Sequence, residues 1–387
     1  MKRLLTGAFA VLFAAAVPGF AQTVDDLNIQ IHGFATQGFL YTTNNNILTT
    51  NSSDGSPNWF EGVVNISAQP TPKLRVAVQG RFESFGNATN QISLDYANAD
   101  YKVNDFLGVR FGKVKSPSGL FNEMQDIDPS YMWSLLPQSV YPIGSRNSVL
   151  SHFGGVVYGR VRLGKHLGKL EYRGWAGQRV LNSGDGYFVP QVEKGLILPN
   201  GFSVPVSGAA LRWKTPLTGL TLGISDYRQQ HGNALLQYPA FGLSGHETIE
   251  ALTSPNFFGK YERGRWMLAA ERSRVPATVT IALTGVPNSN IFFDLRSWYA
   301  MATYKVTDKF TVGAYNSQAF DRRLPPGPAH YQKDWDVSGR YDFNQFIYVK
   351  AEQHFLDGTV LSYDTNLNLG GLKPTSKLTI LKVGVSF

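Results

Sequence analysis

Apolar and polar residues alternate with a period of two along much of the chain, up to its last residue. In the final segment LTILKVGVSF, one set of alternate positions is apolar: Leu381, Val383, Val385 and Phe387. The positions between them are polar or small: Lys382, Gly384 and Ser386. Successive side chains of a strand point to opposite faces, so this alternation predicts β-strands with one apolar face.

The connections between strands separate a soluble β-sandwich from a membrane barrel, because the strands of both alternate. Seven connections are very short, near residues 70–73, 103–106, 164–168, 215–219, 262–265, 307–309 and 342–345. Eight are longer and polar, near 41–58, 86–90, 115–151, 181–201, 230–254, 274–291, 322–332 and 357–376. Strict alternation of the two kinds is typical of a transmembrane antiparallel β-barrel with short periplasmic turns and long extracellular loops. We therefore predict an all-β barrel of about 16 strands.

Aromatic residues cluster beside the short connections: Tyr101, Phe106, Trp213, Tyr261, Trp266, Tyr304, Phe310, Tyr341, Phe343 and Phe346. Transmembrane barrels place girdles of aromatic residues where the wall meets the lipid headgroups. Strands in general favour aromatic residues, but their position at one end of so many strand pairs favours a girdle.

The N-terminus has the three-part layout of a secretory signal peptide. Lys2 and Arg3 precede an apolar stretch from Leu4 to Val17, and small residues lead to a predicted cleavage after Ala21. The apolar stretch is too short to span a bilayer as a helix. We predict a signal peptide over residues 1–21 and a single barrel over residues 22–387.

Composition narrows the partners and the chemistry. The 387 residues include no Cys, which excludes disulfides, Cys-ligated metals and thiol nucleophiles. The formal net charge is +8, and removal of Lys2 and Arg3 leaves +6. A basic balance can indicate nucleic acid, but an exported protein rarely meets it. We expect outer-membrane lipid and no nucleic acid as partners.

A barrel of this size leaves an aqueous channel, so a pore for small hydrophilic solutes is the expected function. The third long connection, residues 115–151, is unusually long, which predicts that it has a specific function. Glu123, Asp126 and Asp128 make it acidic, with no basic residue from Ser116 to Ser145. It also carries apolar residues that a free surface loop would not keep in water: Leu120, Phe121, Met132, Trp133, Leu135 and Leu136.

This layout resembles the Gram-negative outer-membrane porins, in which a long acidic third loop faces basic wall residues. The segment from Gly112 to Glu123 is similar to the porin O and P type, and the terminal Phe387 resembles the aromatic that the barrel-assembly machinery reads. The resemblance implies a loop 115–151 folded inward as a constriction, an outer-membrane location and a homotrimer. Phosphate-selective members carry basic clusters on this loop, whereas this loop is acidic, so phosphate selectivity is not implied.

Strand parity places charged residues on the lumen wall, since charges facing lipid cost a few kcal/mol each. The predicted basic wall residues are Arg81, Arg110, Arg160, Arg173, Arg212, Arg340 and Lys350. Inward acids include Glu83, Glu171, Asp336 and Glu352. Opposed acids and bases would order polar solutes in a transverse field, or they would only neutralise one another. The net charge favours a weak anion preference.

Motifs for enzymes are lacking in the sequence. The seven His are scattered, with no HExxH and no G-x-S-x-G motif. His354 near Glu352 is interpreted as a lumen residue, and the Asp126–Asp128 pair lacks the other ligands of a calcium loop. We predict no enzyme, no catalytic residue, no cofactor and no metal. The alternative function is a barrel with a binding, adhesion or structural role and a closed lumen.

Overall fold

The computed structural model describes residues 27–85, 88–164, 166–185, 187–361 and 365–387. The predicted signal peptide, residues 1–21, lies outside the described residues. The strands are β1 (Gln30–Thr42), β2 (Ser56–Thr71), β3 (Leu74–Phe85), β4 (Ala88–Lys102), β5 (Gly108–Lys115), β6 (Ser151–Arg162), β7 (Lys169–Leu181), β8 (Phe202–Lys214), β9 (Leu220–Gln229), β10 (Gly232–Tyr238), β11 (Leu243–Ile249), β12 (Leu252–Arg263), β13 (Trp266–Leu283), β14 (Ser289–Lys305), β15 (Phe310–Asp321), β16 (Tyr331–Asp342), β17 (Ile347–Gly358) and β18 (Thr375–Ser386).

Among the described residues between β1 and β18, helical structure lies in the connections. Two short α-helices are described, α1 (Arg146–Leu150) and α2 (Val189–Val192). Single 3-10 turns lie at Ser52–Asp54, Asp128–Ser130, Ile143–Ser145, Pro239–Phe241, Pro328–His330 and Thr365–Leu367. Within the described ranges, no helix has the length and apolar character needed to cross a membrane.

Sixteen of the strands close into one antiparallel barrel wall. Neighbours in the chain are neighbours in the wall, except that β9 pairs directly with β12. The two strands between them, β10 and β11, form a hairpin outside this circuit. The hairpin is held by β11, which pairs with the far end of β13 from Ile249–Val279 to Gly245–Leu283. The predicted all-β barrel of about 16 strands is confirmed.

The barrel closes where the last strand meets the first. β18 pairs with β1 from Phe34–Ser386 to Thr42–Leu378. The backbone N–H of Phe387 donates to the carbonyl of Gly33 at 2.9 Å, and the N–H of Gly33 donates to the carbonyl of Phe387 at 3.0 Å. In lipid every backbone polar group needs an internal partner, and closure supplies one at both edges. The C-terminus is therefore held to its last residue.

The two faces of the wall differ as the alternation predicts. On β18, Leu381, Val383 and Val385 are exposed on the outside, whereas Lys382 between them is 1% exposed. Most of the aromatic residues predicted for a girdle, including Phe106, Trp266 and Phe343, are also exposed near the short connections. An apolar outer face with aromatic residues at its edge fits a lipid bilayer.

Short and long connections alternate around most of the barrel, but three of the connections predicted as long differ from the expected bounds. β3 ends at Phe85 and β4 begins at Ala88, so the connection predicted over 86–90 is short. β13 and β14 continue to Leu283 and from Ser289, so the connection predicted over 274–291 is short. Most residues from Val275 to Ile281 are β-branched, which favours a strand over a loop. The connection predicted over 230–254 contains the β10–β11 hairpin and ends where β12 begins.

The third loop, defined as residues 116–150 between β5 and β6, packs its apolar side chains on the inner wall. Its residues Phe121, Met132, Trp133, Leu136 and Tyr141 form one buried cluster with wall residues Ala269, Tyr299, Met301 and Tyr315. The Trp133 ring meets the Tyr315 ring edge-on, with centroids 5.1 Å apart. Burial against the wall explains how a connection this apolar avoids water.

We expect replacement of Phe387 to reduce insertion into the outer membrane without reducing the stability of the folded barrel. Phe387→Ala keeps the backbone hydrogen bonds to Gly33, so the purified barrel should refold in detergent micelles with almost unchanged heat-modifiable migration. If the side chain is an assembly signal, the amount reaching the outer membrane in cells should fall several-fold. Val385→Ala, which truncates another outward side chain of β18, is the control; equal membrane levels for the two variants would contradict the signal.

Candidate functional site

The third loop lies inside the barrel and contacts inward-facing side chains on opposite parts of the wall. Near its start, the Gly119 N–H donates to Ser225 Oγ on β9 at 2.9 Å. Farther along, Lys350 of β17 donates to the carbonyl of Trp133 at 2.8 Å. The loop therefore reaches from β9 to β17, across much of the lumen.

Asp128 is the most strongly bound acid of the third loop. Lys382 Nζ lies 2.6 Å from Asp128 Oδ1, while Lys350 Nζ lies 2.9 Å and Tyr348 Oη 2.7 Å from Oδ2. Asp128 and both lysines are at most 2% exposed. Burial opposes its ionisation, but Lys350 and Lys382 outweigh that effect and hold the pKa of Asp128 well below its usual range.

A second buried network holds the far end of the third loop. Arg146 of α1 lies 2.7 Å from both Glu61 of β2 and Glu83 of β3. Arg81 of β3 lies beside the same two acids and 3.2 Å from Asp95 of β4. Two guanidinium groups thus pair with three wall carboxylates. Removal of either partner would leave a buried charge without compensation.

Neutral donors hold the opposite side of the third loop on Glu271 of β13. Tyr141 donates to Glu271 Oε2 at 2.7 Å, and Tyr299 donates to the same oxygen at 2.7 Å. Asn256 and the Leu120 N–H donate to Oε1 at 2.6 and 3.2 Å. Each end of the loop is therefore fastened to a different arc of the wall.

Glu123 differs from the other loop acids because it stays accessible to water. Its carboxylate pairs with Arg173 and lies 3.8 Å from Arg212. The Glu123 side chain is 25% exposed, and those of Arg173 and Arg212 are 26% and 18% exposed. Arg110, paired with Asp100 at 2.7 Å, is similarly exposed at 28%. These half-exposed side chains line β5, β7 and β8 near their short connections.

The predicted site residues therefore fall into separate groups. One group is buried between the wall and the third loop. It comprises the wall residues Arg81 and Lys350 and the loop residues Asp126 and Asp128, all at most 2% exposed. Asp126 pairs with Lys115 at 2.7 Å. Lysine ammonium groups are thus the charged partners of both Asp126 and Asp128. The wall charges beneath the loop hold it in place.

Two further predicted wall residues take other positions. Arg340 donates to the loop carbonyls of Pro129 and Tyr131 at 2.9 and 2.8 Å, so it helps to fasten the third loop. Arg160 lies at the rim, 2.7 Å from Asp105 in the β4–β5 turn. Hydrogen bonds from Lys102 and Arg160 lower the pKa of Asp105 to about 2. Arg110, Arg173 and Arg212 are the predicted wall residues that combine a lumen position with partial exposure near Glu123.

Sequence reasoning did not single out several residues that fasten the loop, namely Glu61, Asp95, Arg146, Glu271 and Lys382. All five are at most 4% exposed. The parity rule places the four strand residues on the inward face, so the available signal was an inward charge without an assigned partner. Arg146 offered a different signal, because it is the first basic residue after the acidic part of the loop.

The fold matches solved outer-membrane structures over nearly the whole chain at low sequence identity. Salmonella typhi OmpF, in a complex with daunomycin, has a TM-score of 0.57 at 12% identity, covering 95% of this chain and 99% of that chain. The outer membrane channel DcaP of Acinetobacter baumannii has a TM-score of 0.55 at 13% identity, covering 96% and 100%. An anion-selective porin from Comamonas acidovorans has a TM-score of 0.53 at 9% identity, covering 93% and 99%.

These likenesses show that the chain has the general porin fold. The protein-family models and the curated protein sequences that were searched give no match. The fold is therefore shown by structure, while the finer assignment depends on the site itself.

We expect Asp128→Asn to release the third loop. The substitution leaves Lys350 and Lys382 buried without a carboxylate, which should lower the free energy of unfolding by about 3–5 kcal/mol. Urea titration of the barrel in micelles measures this loss, and chymotrypsin should newly cleave at Phe121 or Trp133. Glu123→Gln, at a partly exposed pair, is the control and should leave the loop resistant. Full resistance of Asp128→Asn would contradict this role.

The same anchor predicts how the third loop responds to acid. Because the folded-state pKa of Asp128 lies below its unfolded value of about 3.9, the anchor contributes stability above that value. It loses this contribution only as the pH falls through the lower folded pKa. Hydrogen–deuterium exchange of the backbone around Asp128, corrected for the intrinsic pH dependence, should show unchanged protection from pH 7 to about pH 4. Loss of protection near pH 5 would contradict the prediction.

Proposed function

We propose that this protein is a Gram-negative outer-membrane porin whose water-filled channel passes small hydrophilic solutes and is narrowed by the third loop. The porin fold and the apolar outer face support this location, and the predicted signal peptide is consistent with it. The contacts of the third loop with several arcs of the wall support a constriction at the depth where the loop crosses. No catalytic activity is proposed.

The observation that carries the proposal is the half-exposed group of Arg110, Arg173 and Arg212 around Glu123. Elsewhere along the third loop, most of the charged partners are buried. Water-accessible charges beside a constriction act on a passing solute, because low-dielectric walls focus their field. Three guanidinium groups face two acids here, Glu123 and Asp100, so the group favours anions.

We also propose that the protein is related to the porin O and P type, which Gly112–Glu123 resembles. Its acidic third loop does not support phosphate selectivity. We also propose a homotrimer that the barrel-assembly machinery inserts. The outward faces of β1 to β4 present uncharged residues, such as Ala35, Gly62 and Val78. By contrast, the outward faces of β9, β13, β14 and β16 carry Arg228, Arg272, Arg296 and Lys333. An uncharged, small-residue face suits contact with a second copy.

Single-channel recording in planar bilayers tests the channel itself. We expect stable conductance steps from the purified barrel and larger steps after deletion of Ser118–Ser139, because the deletion removes the constricting segment. An absence of steps in both proteins would instead favour a closed barrel with a binding or structural role. Correct folding of the deletion variant is checked by its heat-modifiable migration.

Selectivity tests the arginine group. At a separation of about 7 Å in water, one fixed charge changes the energy of one monovalent ion by about 0.6 kcal/mol, or roughly threefold in the local concentration of that ion. We expect the reversal potential in a salt gradient to show anion preference for the unchanged protein. Arg173→Gln should lower the anion-to-cation permeability ratio by about sevenfold, because the lost charge attracts anions and repels cations by the same amount.

The control for this measurement is Arg272→Gln, which removes an exposed outward-facing charge from β13 and should leave the ratio unchanged. Cation preference in the unchanged protein, or equal effects of the two variants, would remove the anion proposal. Conductance steps of unchanged size would still support the channel, so the two proposals fail independently.

A further inference from the structure

A second cluster of titratable side chains lies on the inner wall under the third loop. Asp334 and Asp336 of β16 and Glu352 and His354 of β17 all point inward, and Asp336 is the register partner of His354. All four residues are at most 4% exposed. They are distinct from the half-exposed arginine group, and the proposed channel does not use them.

The cluster has more negative charge than its protein partners neutralise. Three carboxylates surround one imidazole, and among the described residues no lysine or arginine forms an ion pair with any of the three. The nearby Lys350 and Lys382 are already bound to Asp128. Buried carboxylates are costly unless a cation or a proton accompanies them.

One carboxylate oxygen of this cluster has no hydrogen-bond partner in the described part of the chain. Asp336 is fully buried, and Ser338 donates to its Oδ2 at 2.5 Å, but its Oδ1 accepts no hydrogen bond. That oxygen lies 3.6 Å from His354 Nε2, so it points into the cluster. A buried acceptor left open in this way requires an explanation such as a bound ion.

The separations between these atoms match a metal coordination sphere. His354 Nε2 lies 3.3 Å from Glu352 Oε2 and 3.6 Å from Asp336 Oδ1. Ligand atoms bonded tetrahedrally to Zn²⁺ at about 2.0–2.1 Å are separated by about 3.3–3.4 Å. Ligand atoms of the three residues all lie within 4.8 Å of one another.

The surroundings of His354 resemble the outer sphere of a metal-binding histidine. Its Nδ1 lies 3.1 Å from Asp334 Oδ2, on the side of the ring opposite to the Nε2 that faces Asp336 and Glu352. Tyr315 in turn donates to Asp334 at 3.2 Å. A carboxylate on the second ring nitrogen fixes the tautomer and orientation that a metal-ligating histidine needs.

We propose that Asp336, Glu352 and His354 bind a divalent cation of the zinc class, with Asp334 as a positioning residue. An imidazole combined with carboxylates suits Zn²⁺, whereas Ca²⁺ takes six to eight oxygen ligands. Glu352 also accepts hydrogen bonds from the N–H groups of Ser134 and Leu135. The cation would therefore brace the wall residue that holds the middle of the third loop.

Calorimetric titration of the chelator-treated, full-length barrel in detergent tests this site. Zinc chloride should bind at about one ion per chain and raise the thermal unfolding temperature, while calcium chloride at equal concentration should bind far more weakly. Asp336→Asn retains an acceptor for Ser338 and should abolish the tight site. Asp334→Asn should weaken binding by about 10- to 100-fold.

The control is His246→Gln, which removes an exposed histidine on the β10–β11 hairpin and should leave zinc binding unchanged. Each variant is used only if its heat-modifiable migration shows a folded barrel. Absence of stoichiometric zinc binding by the unchanged protein would overturn the proposal. Equal zinc affinity in Asp336→Asn would overturn it as well, as would tighter binding of calcium.

Discussion

The pairing of every backbone amide inside a lipid bilayer is the constraint on which this structure depends. A wall of strands satisfies it only if the first and last strands meet, and β1 and β18 pair to the final residue. Closure fixes which side chains face inward on each strand. That fixed parity places the charged residues in the lumen, including those that contact the third loop and the cluster of Asp334, Asp336, Glu352 and His354.

Charge inside the barrel serves two different purposes. Where the third loop covers the wall, acids and bases are paired and excluded from water, as around Asp128 and Arg146. Such pairs fix position, because moving the loop would leave a charge buried alone. Where the loop leaves the wall open, Arg110, Arg173 and Arg212 remain partly hydrated. The same residue types thus fasten the loop in one place and can act on solutes in another.

Local patterns predicted the fold well because the strand period and the connection lengths are local properties. The two-residue alternation of β18 and the succession of short and long connections were sufficient for sixteen strands. They failed at the β3–β4 connection, which is short, and at β13 and β14, where strands continue through residues predicted to form a loop. They also missed the β10–β11 hairpin, which is held by its pairing with a strand that follows in the sequence.

The candidate site could be predicted only in part. Parity placed Arg81, Arg173 and Lys350 on the inward face, and the acidity of residues 123–128 indicated a loop that meets basic wall residues. Parity cannot show which inward residue lies beneath the loop, since that depends on contacts between positions up to 254 residues apart, such as Asp128 with Lys382. For the same reason Asp126 and Asp128 were grouped with Glu123, although only Glu123 stays exposed.

The sequence by itself determined the class of the fold: period-two alternation and the succession of short and long connections allow little besides a membrane barrel. Only the tertiary structure decided which charges are buried and which meet water, because that follows from the path of the third loop across the lumen. It also brought ligand atoms of Asp336, Glu352 and His354 within 4.8 Å of one another. Adjacent strands converge on such a point only through their register, and register is set by the closed wall as a whole.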